Sequence, residues 1–128
     1  MRITVSFFAA SLLALLLNMP VASADDAAIS TMANILINLQ HFPSDSDKQK
    51  LTMIAESSGS SEAEKTVAIA IANIEHKASA DDQDKLNAVI ADGDTPAELR
   101  DLASVVLSLN HFPSAADKAK LEKLVAAL

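Results

Sequence analysis

Three histidines are the residues whose type and spacing first suggest chemistry in this sequence. They are His41, His76 and His111, and 35 residues separate each from the next. Neutral imidazole is a common metal ligand, and an acidic chain attracts cations. Equivalent residues of stacked helix pairs would lie about 8 to 10 Å apart, however, whereas metal ligands converge to about 2 Å from one ion. We therefore expect no shared metal site, and histidines that close the last turn of a helix by satisfying its free carbonyl groups.

Other patterns that carry chemistry are missing from the sequence. The chain has no cysteine, which excludes disulfides, thiolate nucleophiles and Cys-ligated zinc. It contains neither a Gly-x-Ser-x-Gly motif nor a glycine-rich phosphate loop. Its net charge of −7 repels the phosphate backbone of nucleic acids. We expect a protein that is not an enzyme, uses no cofactor and does not bind nucleic acid.

The first 24 residues have the layout of a secretory signal peptide. Arg2 precedes an apolar run over residues 5–17, which is followed by Pro20 and a small-residue triplet ending at Ala24. The run is shorter than the roughly 20 residues that a membrane-spanning helix needs. We expect cleavage after Ala24, which places the mature chain in the periplasm or outside the cell without stable membrane insertion. An uncleaved membrane anchor is the alternative.

The spacing of the histidines extends to their neighbours in the sequence. Residues 39–51 match residues 109–121 at nine of thirteen positions without a gap. The copy around His76 keeps the serine, aspartate, lysine and leucine of this pattern but replaces Phe-Pro by Lys77-Ala78. Because no insertion or deletion separates the copies, each is expected to be the same structural unit.

Each unit is predicted to form two helices. Apolar residues recur in it with the i, i+3, i+4, i+7 spacing of a helix that buries one face. Oxygen-bearing side chains, which cap helix N-termini, precede both apolar stretches. The first helix of a unit is predicted to start at Asp25, Ser60 or Thr95, and the second at Ser44, Ser79 or Ser114.

The predicted fold class is all-α, with six helices in three tandem 35-residue helix hairpins. One hairpin cannot bury its apolar face alone, so neighbours must stack. The stack is either a short right-handed solenoid or a compact bundle with pseudo-threefold repetition. The period is similar to that of the tetratricopeptide class, whose defining Gly, Tyr and large aromatic positions have no counterpart here. We expect one domain over residues 25–128, with repeat units at about 25–59, 60–94 and 95–128.

An exported array of helix pairs is typical of a recognition protein. Stacked pairs form an extended groove, which predicts binding of a protein or peptide. Phe42 and Phe112 are candidate partner contacts, whereas packing into the hinge between the two helices of one unit is the commoner role of such residues. Leu124 and Leu128 lie in a last helix that has no polar cap, which predicts a homo-oligomer through that helix. The alternative function is a periplasmic cation-binding or buffering protein that uses the repeated histidines and the acidic residues.

Overall fold

The computed structural model describes residues 24–128, which form six helices and no strand. The all-α prediction is confirmed for this part of the chain, and the predicted signal peptide lies outside it. None of these six helices has the length and hydropathy of a membrane span. Their bounds are α1 (Ala24–Ile37), α2 (Asp45–Glu56), α3 (Glu62–Ala72), α4 (Ala80–Ala91), α5 (Ala97–Ser108) and α6 (Ala115–Ala127).

The helices close into a ring instead of extending as a solenoid. α2 packs against α3, α4 packs against α5, and α6 returns to pack against α1. α1, α3 and α5 also contact one another, so they form an inner layer surrounded by α2, α4 and α6. The solenoid alternative is wrong, because an open array leaves its first and last helices apart. The compact bundle is the architecture of residues 24–128.

The inner helices supply most of the hydrophobic core. Their fully buried side chains at corresponding positions are Met32, Leu36, Val67, Ile71, Leu102 and Val106. An alanine with no exposed area stands beside each set, at Ala33, Ala68 and Ala103, and its small side chain lets the helices approach closely. Each outer helix buries a narrower stripe that includes Leu51, Leu86 or Leu121. Burial of one such large side chain contributes about 1.5 to 3 kcal/mol, so the core holds all six helices together.

Serine caps start the outer helices, as the sequence predicts. The hydroxyls of Ser44, Ser79 and Ser114 each accept a hydrogen bond from the backbone N–H three residues later, at 3.1 to 3.2 Å. Loss of such a cap costs about 1 kcal/mol. The aspartates do not complete these caps as capping boxes, and Asp82 instead accepts from the Ser79 hydroxyl at 2.8 Å.

Two predicted starts of inner helices are wrong. Ser61, and not Ser60, caps α3. α5 follows Pro96 and has no side-chain cap. The Thr95 hydroxyl belongs to the preceding turn, where it donates to Asp92 Oδ2 at 3.1 Å.

Glu64 is a buried carboxyl group at the start of α3. Its side chain is 2% exposed, and its Oε2 accepts a hydrogen bond from the Ser61 N–H at 2.7 Å in a full capping box. Burial raises the pKa of Glu64 above its ordinary value, the Ser61 hydrogen bond opposes this, and the negative charge of Asp25 adds to it. Oε1 has no hydrogen-bond partner among the described residues. Ionisation of Glu64 therefore costs more in the folded chain than in the unfolded chain.

Glu64→Gln is expected to stabilise the protein at neutral pH. Because the folded-state pKa is raised, the stability that Glu64 contributes is complete below its ordinary pKa and is lost as the pH rises through the raised value. Glutamine keeps an acceptor for the Ser61 N–H and carries no charge. We expect an unfolding midpoint about 5 °C higher at pH 7, as about 1 kcal/mol gives in a domain of this size. Thermal unfolding near pH 3.5 should show no gain, and an equal gain at both pH values would contradict this origin.

The last helix does not present a free apolar face at Leu124. That side chain is 7% exposed, and α6 packs against α1. Leu128, after the end of the helix, is 38% exposed. Leu124, which the sequence suggested as a partner contact, is covered by closure of the ring. The expected homo-oligomer contact through this helix thus loses one of its two residues.

Leu124→Ala and Leu128→Ala form a matched pair that measures the closure of the ring. Removing the buried Leu124 side chain is expected to cost about 3 kcal/mol of unfolding free energy. The same change at Leu128 should cost less than about 1 kcal/mol. Urea denaturation followed by circular dichroism gives both values. Equal losses would show that α6 is not packed against α1 in solution.

Candidate functional site

Each pair of helices is joined by a turn with a histidine in the left-handed backbone region. The φ angles are 67° at His41, 70° at His76 and 70° at His111. This region costs a non-glycine residue about 1 to 2 kcal/mol, although histidine enters it more often than most. Neither glycine of the chain has a positive φ. The sequence thus places histidine, and not glycine, at the three turns that need this conformation.

The backbones of the three histidines form a closed cycle of hydrogen bonds. The His41 N–H donates to the His111 carbonyl at 2.9 Å, the His76 N–H to the His41 carbonyl at 2.9 Å, and the His111 N–H to the His76 carbonyl at 2.6 Å. The residues flanking each histidine also pair, as where the Phe42 N–H donates to the Gln40 carbonyl at 2.8 Å. The cycle brings all three turns to one point at the end of the bundle.

The three imidazole rings lie against one another. Their centroids are 5.4 Å apart for His41 and His76, 5.5 Å for His41 and His111, and 4.8 Å for His76 and His111. The expected separation of about 8 to 10 Å is wrong, because the helix pairs surround an axis and their corresponding turns converge on it. The helix-closing role is wrong as well: α1 ends at Ile37, and the histidine N–H groups donate to one another.

The residue after each histidine faces solvent, whereas the next one is buried. Phe42 is 61% exposed and Phe112 is 58% exposed. Lys77 takes the corresponding place in the middle pair and is also exposed. Packing of the phenylalanines into the hinge is therefore wrong. The buried residues of the three turns are Pro43, Ala78 and Pro113.

We call the surface formed by these exposed residues the axial face; it consists of His41, Phe42, His76, Lys77, His111 and Phe112. A cavity of about 450 Å³ opens beside it. Its lining includes Phe42, Lys48, Glu75 and His76, so apolar and charged groups meet there. Such a cleft can accept an apolar side chain together with a polar neighbour.

Among residues 24–128, no group of three or more His, Cys, Asp and Glu side chains is arranged as a metal site. At the axial face the three rings instead meet as tilted aromatic neighbours, with interplanar angles of 80°, 55° and 46°. Sequence spacing identified these histidines but not their convergence. A signal for it was present, because three turns without glycine each carry a histidine, a residue that tolerates the left-handed region.

Comparisons of the chain with protein-family models, with curated proteins and with solved structures find no match. We therefore describe the class of this protein from its fold and its candidate site. It is an all-helical bundle closed around an axis, with histidines and exposed phenylalanines at one end of that axis.

The left-handed backbone at His76 predicts that glycine is more stable than alanine at this position, whereas alanine is more stable than glycine inside a helix. We expect His76→Gly to be more stable than His76→Ala by about 1 kcal/mol, because alanine is strained at positive φ. Gln49, exposed in the middle of α2, supplies the control. There the order should reverse, since glycine in a helix costs about 1 kcal/mol relative to alanine. Urea unfolding of the four variants makes the comparison, and the same order at both positions would contradict a left-handed His76.

Proposed function

We propose that this chain is an exported, non-enzymatic helical protein that binds another protein or a peptide through its axial face. The exposure of Phe42 and Phe112 is the observation that supports this proposal. Large aromatic side chains dominate the binding energy of protein interfaces, and they are rarely left in solvent without use. The extended groove of a solenoid is replaced in this proposal by a compact surface at one end of the bundle.

The surroundings of the phenylalanines suit recognition. The buried Pro43 and Pro113 that follow them anchor the two turns, so each phenylalanine stands on a constrained backbone. A constrained anchor loses little conformational entropy on binding. The cavity beside Phe42 offers a place for a side chain of the partner, with Lys48 and Glu75 able to pair with its polar groups. A peptide segment with an apolar anchor residue fits this combination.

Two parts of the proposal concern the chain as a whole. We propose that residues 1–24 direct export and are removed, which places the protein in the periplasm or outside the cell. We also propose that residues 25–128 are three copies of one 35-residue unit. The recurring serine caps and the three left-handed histidines, each at 35-residue intervals, support this repetition.

Substitution of the two phenylalanines is expected to abolish partner capture. Phe42→Ser with Phe112→Ser removes both anchors from exposed positions, so the fold should persist. Met53→Ser is the matched control, because Met53 is a large apolar residue of α2 that is 72% exposed. The measurement is quantitative mass spectrometry of proteins captured from an extract of the source cells. Equal capture by the double variant and the parent, or loss of capture by Met53→Ser alone, would contradict binding through the axial face.

Cation binding is the second candidate function. The closeness of the three imidazole rings favours it, because imidazole is a common metal ligand and the ring centroids are only 4.8 to 5.5 Å apart. The acidic surface adds a diffuse attraction for cations. In this function the histidines bind and the carboxylates concentrate the ion around them.

A further inference from the structure

Protein binding through the phenylalanines leaves the three histidines at the centre of the axial face without a role. Their side chains are exposed, so burial in the core does not explain them. No hydrogen bond joins their ring nitrogens to any residue between 24 and 128. The structure does show that the three rings are close to one another, which suggests that one ligand could contact all three.

The distances between the rings agree with the dimensions of a three-imidazole metal site. A Zn–N bond is about 2.0 to 2.1 Å, and the ring centre lies roughly 1 Å beyond the nitrogen. In a tetrahedral arrangement the ring centres are therefore separated by about 5 Å. The observed separations are 4.8, 5.4 and 5.5 Å. The ring centres thus have the spacing that one ion requires, although the side chains of residues 24–128 do not converge as a metal site in their present orientation.

Ring rotation is the only movement that such an ion would need. The hydrogen-bond cycle fixes the three backbones relative to one another. Each exposed ring can turn about its Cβ–Cγ bond, which leaves the ring centre close to its present position and redirects the two ring nitrogens. Because no hydrogen bond to the described residues holds the nitrogens elsewhere, this rotation breaks none.

Backbone conformation alone does not account for histidine at these positions. Glycine adopts a positive φ at little steric cost, and asparagine enters that region as readily as histidine. The residues on either side change between the copies: glutamine, glutamate and asparagine precede the histidine, and phenylalanine or lysine follows it. Only the histidine and the serine that caps the next helix are the same in all three turns. The cap explains the serine, and the imidazole is the part of the histidine that the backbone conformation does not explain.

We propose that His41, His76 and His111 bind one divalent transition-metal ion on the axis of the bundle, each through one imidazole nitrogen. Imidazole ligands suit Zn²⁺, Cu²⁺ and Ni²⁺, whereas Ca²⁺ and Mg²⁺ prefer oxygen. A fourth coordination position faces solvent and takes water or an external ligand. This inference rests on the cation-binding candidate, which it narrows to one ion and three residues, and it does not depend on protein binding.

Calorimetric titration of the purified, EDTA-treated protein with zinc chloride tests the site. We expect one ion per chain. His41→Asn, His76→Asn and His111→Asn should each weaken binding about a hundredfold or more, since loss of even an outer-shell partner costs 10- to 100-fold. Asparagine is chosen because it accepts the left-handed backbone. Circular dichroism of each variant confirms that the helices remain.

Asp81→Asn with Asp84→Asn is the matched control, because both carboxylates are exposed on α4 and the double variant should keep the parent affinity. Absence of zinc binding overturns the proposal together with the cation-binding candidate. Zinc binding that survives any one of the three histidine substitutions overturns the three-ligand site but leaves that candidate standing. Loss of binding in the carboxylate variant has the same meaning.

Cobalt substitution of the unaltered protein gives a readout that needs no variant. Co²⁺ bound by three imidazoles and one further ligand is four-coordinate and absorbs visible light strongly. Co²⁺ held by surface carboxylates and water is six-coordinate and absorbs weakly. Strong visible absorption that saturates at one Co²⁺ per chain supports the axial site, and weak absorption at saturation overturns it.

Discussion

His41, His76 and His111 each donate one backbone hydrogen bond to a neighbouring turn and accept one from the other. Such a cycle is complete with three members, because two turns alone would leave one donor and one acceptor unpaired. One such hydrogen bond contributes about 0.5 to 1.5 kcal/mol, which is comparable to the cost of a left-handed φ. The strained histidines thus give each turn the direction that closes the cycle. Closure then fixes the axis around which α1, α3 and α5 bury their apolar faces.

Local features of the fold could be predicted from the sequence because nearby residues determine them. The serine caps of α2, α4 and α6 depend on a hydroxyl and on an N–H three residues later. The stretch Val67–Ala72 alternates like a strand, yet its aligned counterparts show helical spacing, and it lies in α3. The aligned copies, and not the local alternation, therefore predict the helix at this place.

The closure of the ring could not be predicted in this way. A repeat with the same buried faces is compatible with an open array and with a closed one. The rotation between successive helix pairs decides which of the two forms. That rotation depends on how the inner helices pack, and spacing along the sequence does not specify it. The errors at Leu124 and in the histidine distances both follow from it. Phe42 and Pro43 are adjacent apolar residues of one turn, and the sequence does not tell which of them is buried. The direction of the backbone in the structure buries Pro43 and exposes Phe42.

The return of α6 to α1 also bears on where the chain can be opened. Inner helices run toward the axial face and outer helices run away from it, so α1 starts and α6 finishes at the opposite end of the bundle. Residues 57–61 and 92–96 already bridge equivalent gaps there with five residues each. A third bridge of that length would join residue 128 to residue 24 and give a circular polypeptide. Cutting the chain at either of the two natural connections would then give a circular permutant in which the helices keep their contacts. The gap between α6 and α1 is therefore topologically equivalent to the other two connections.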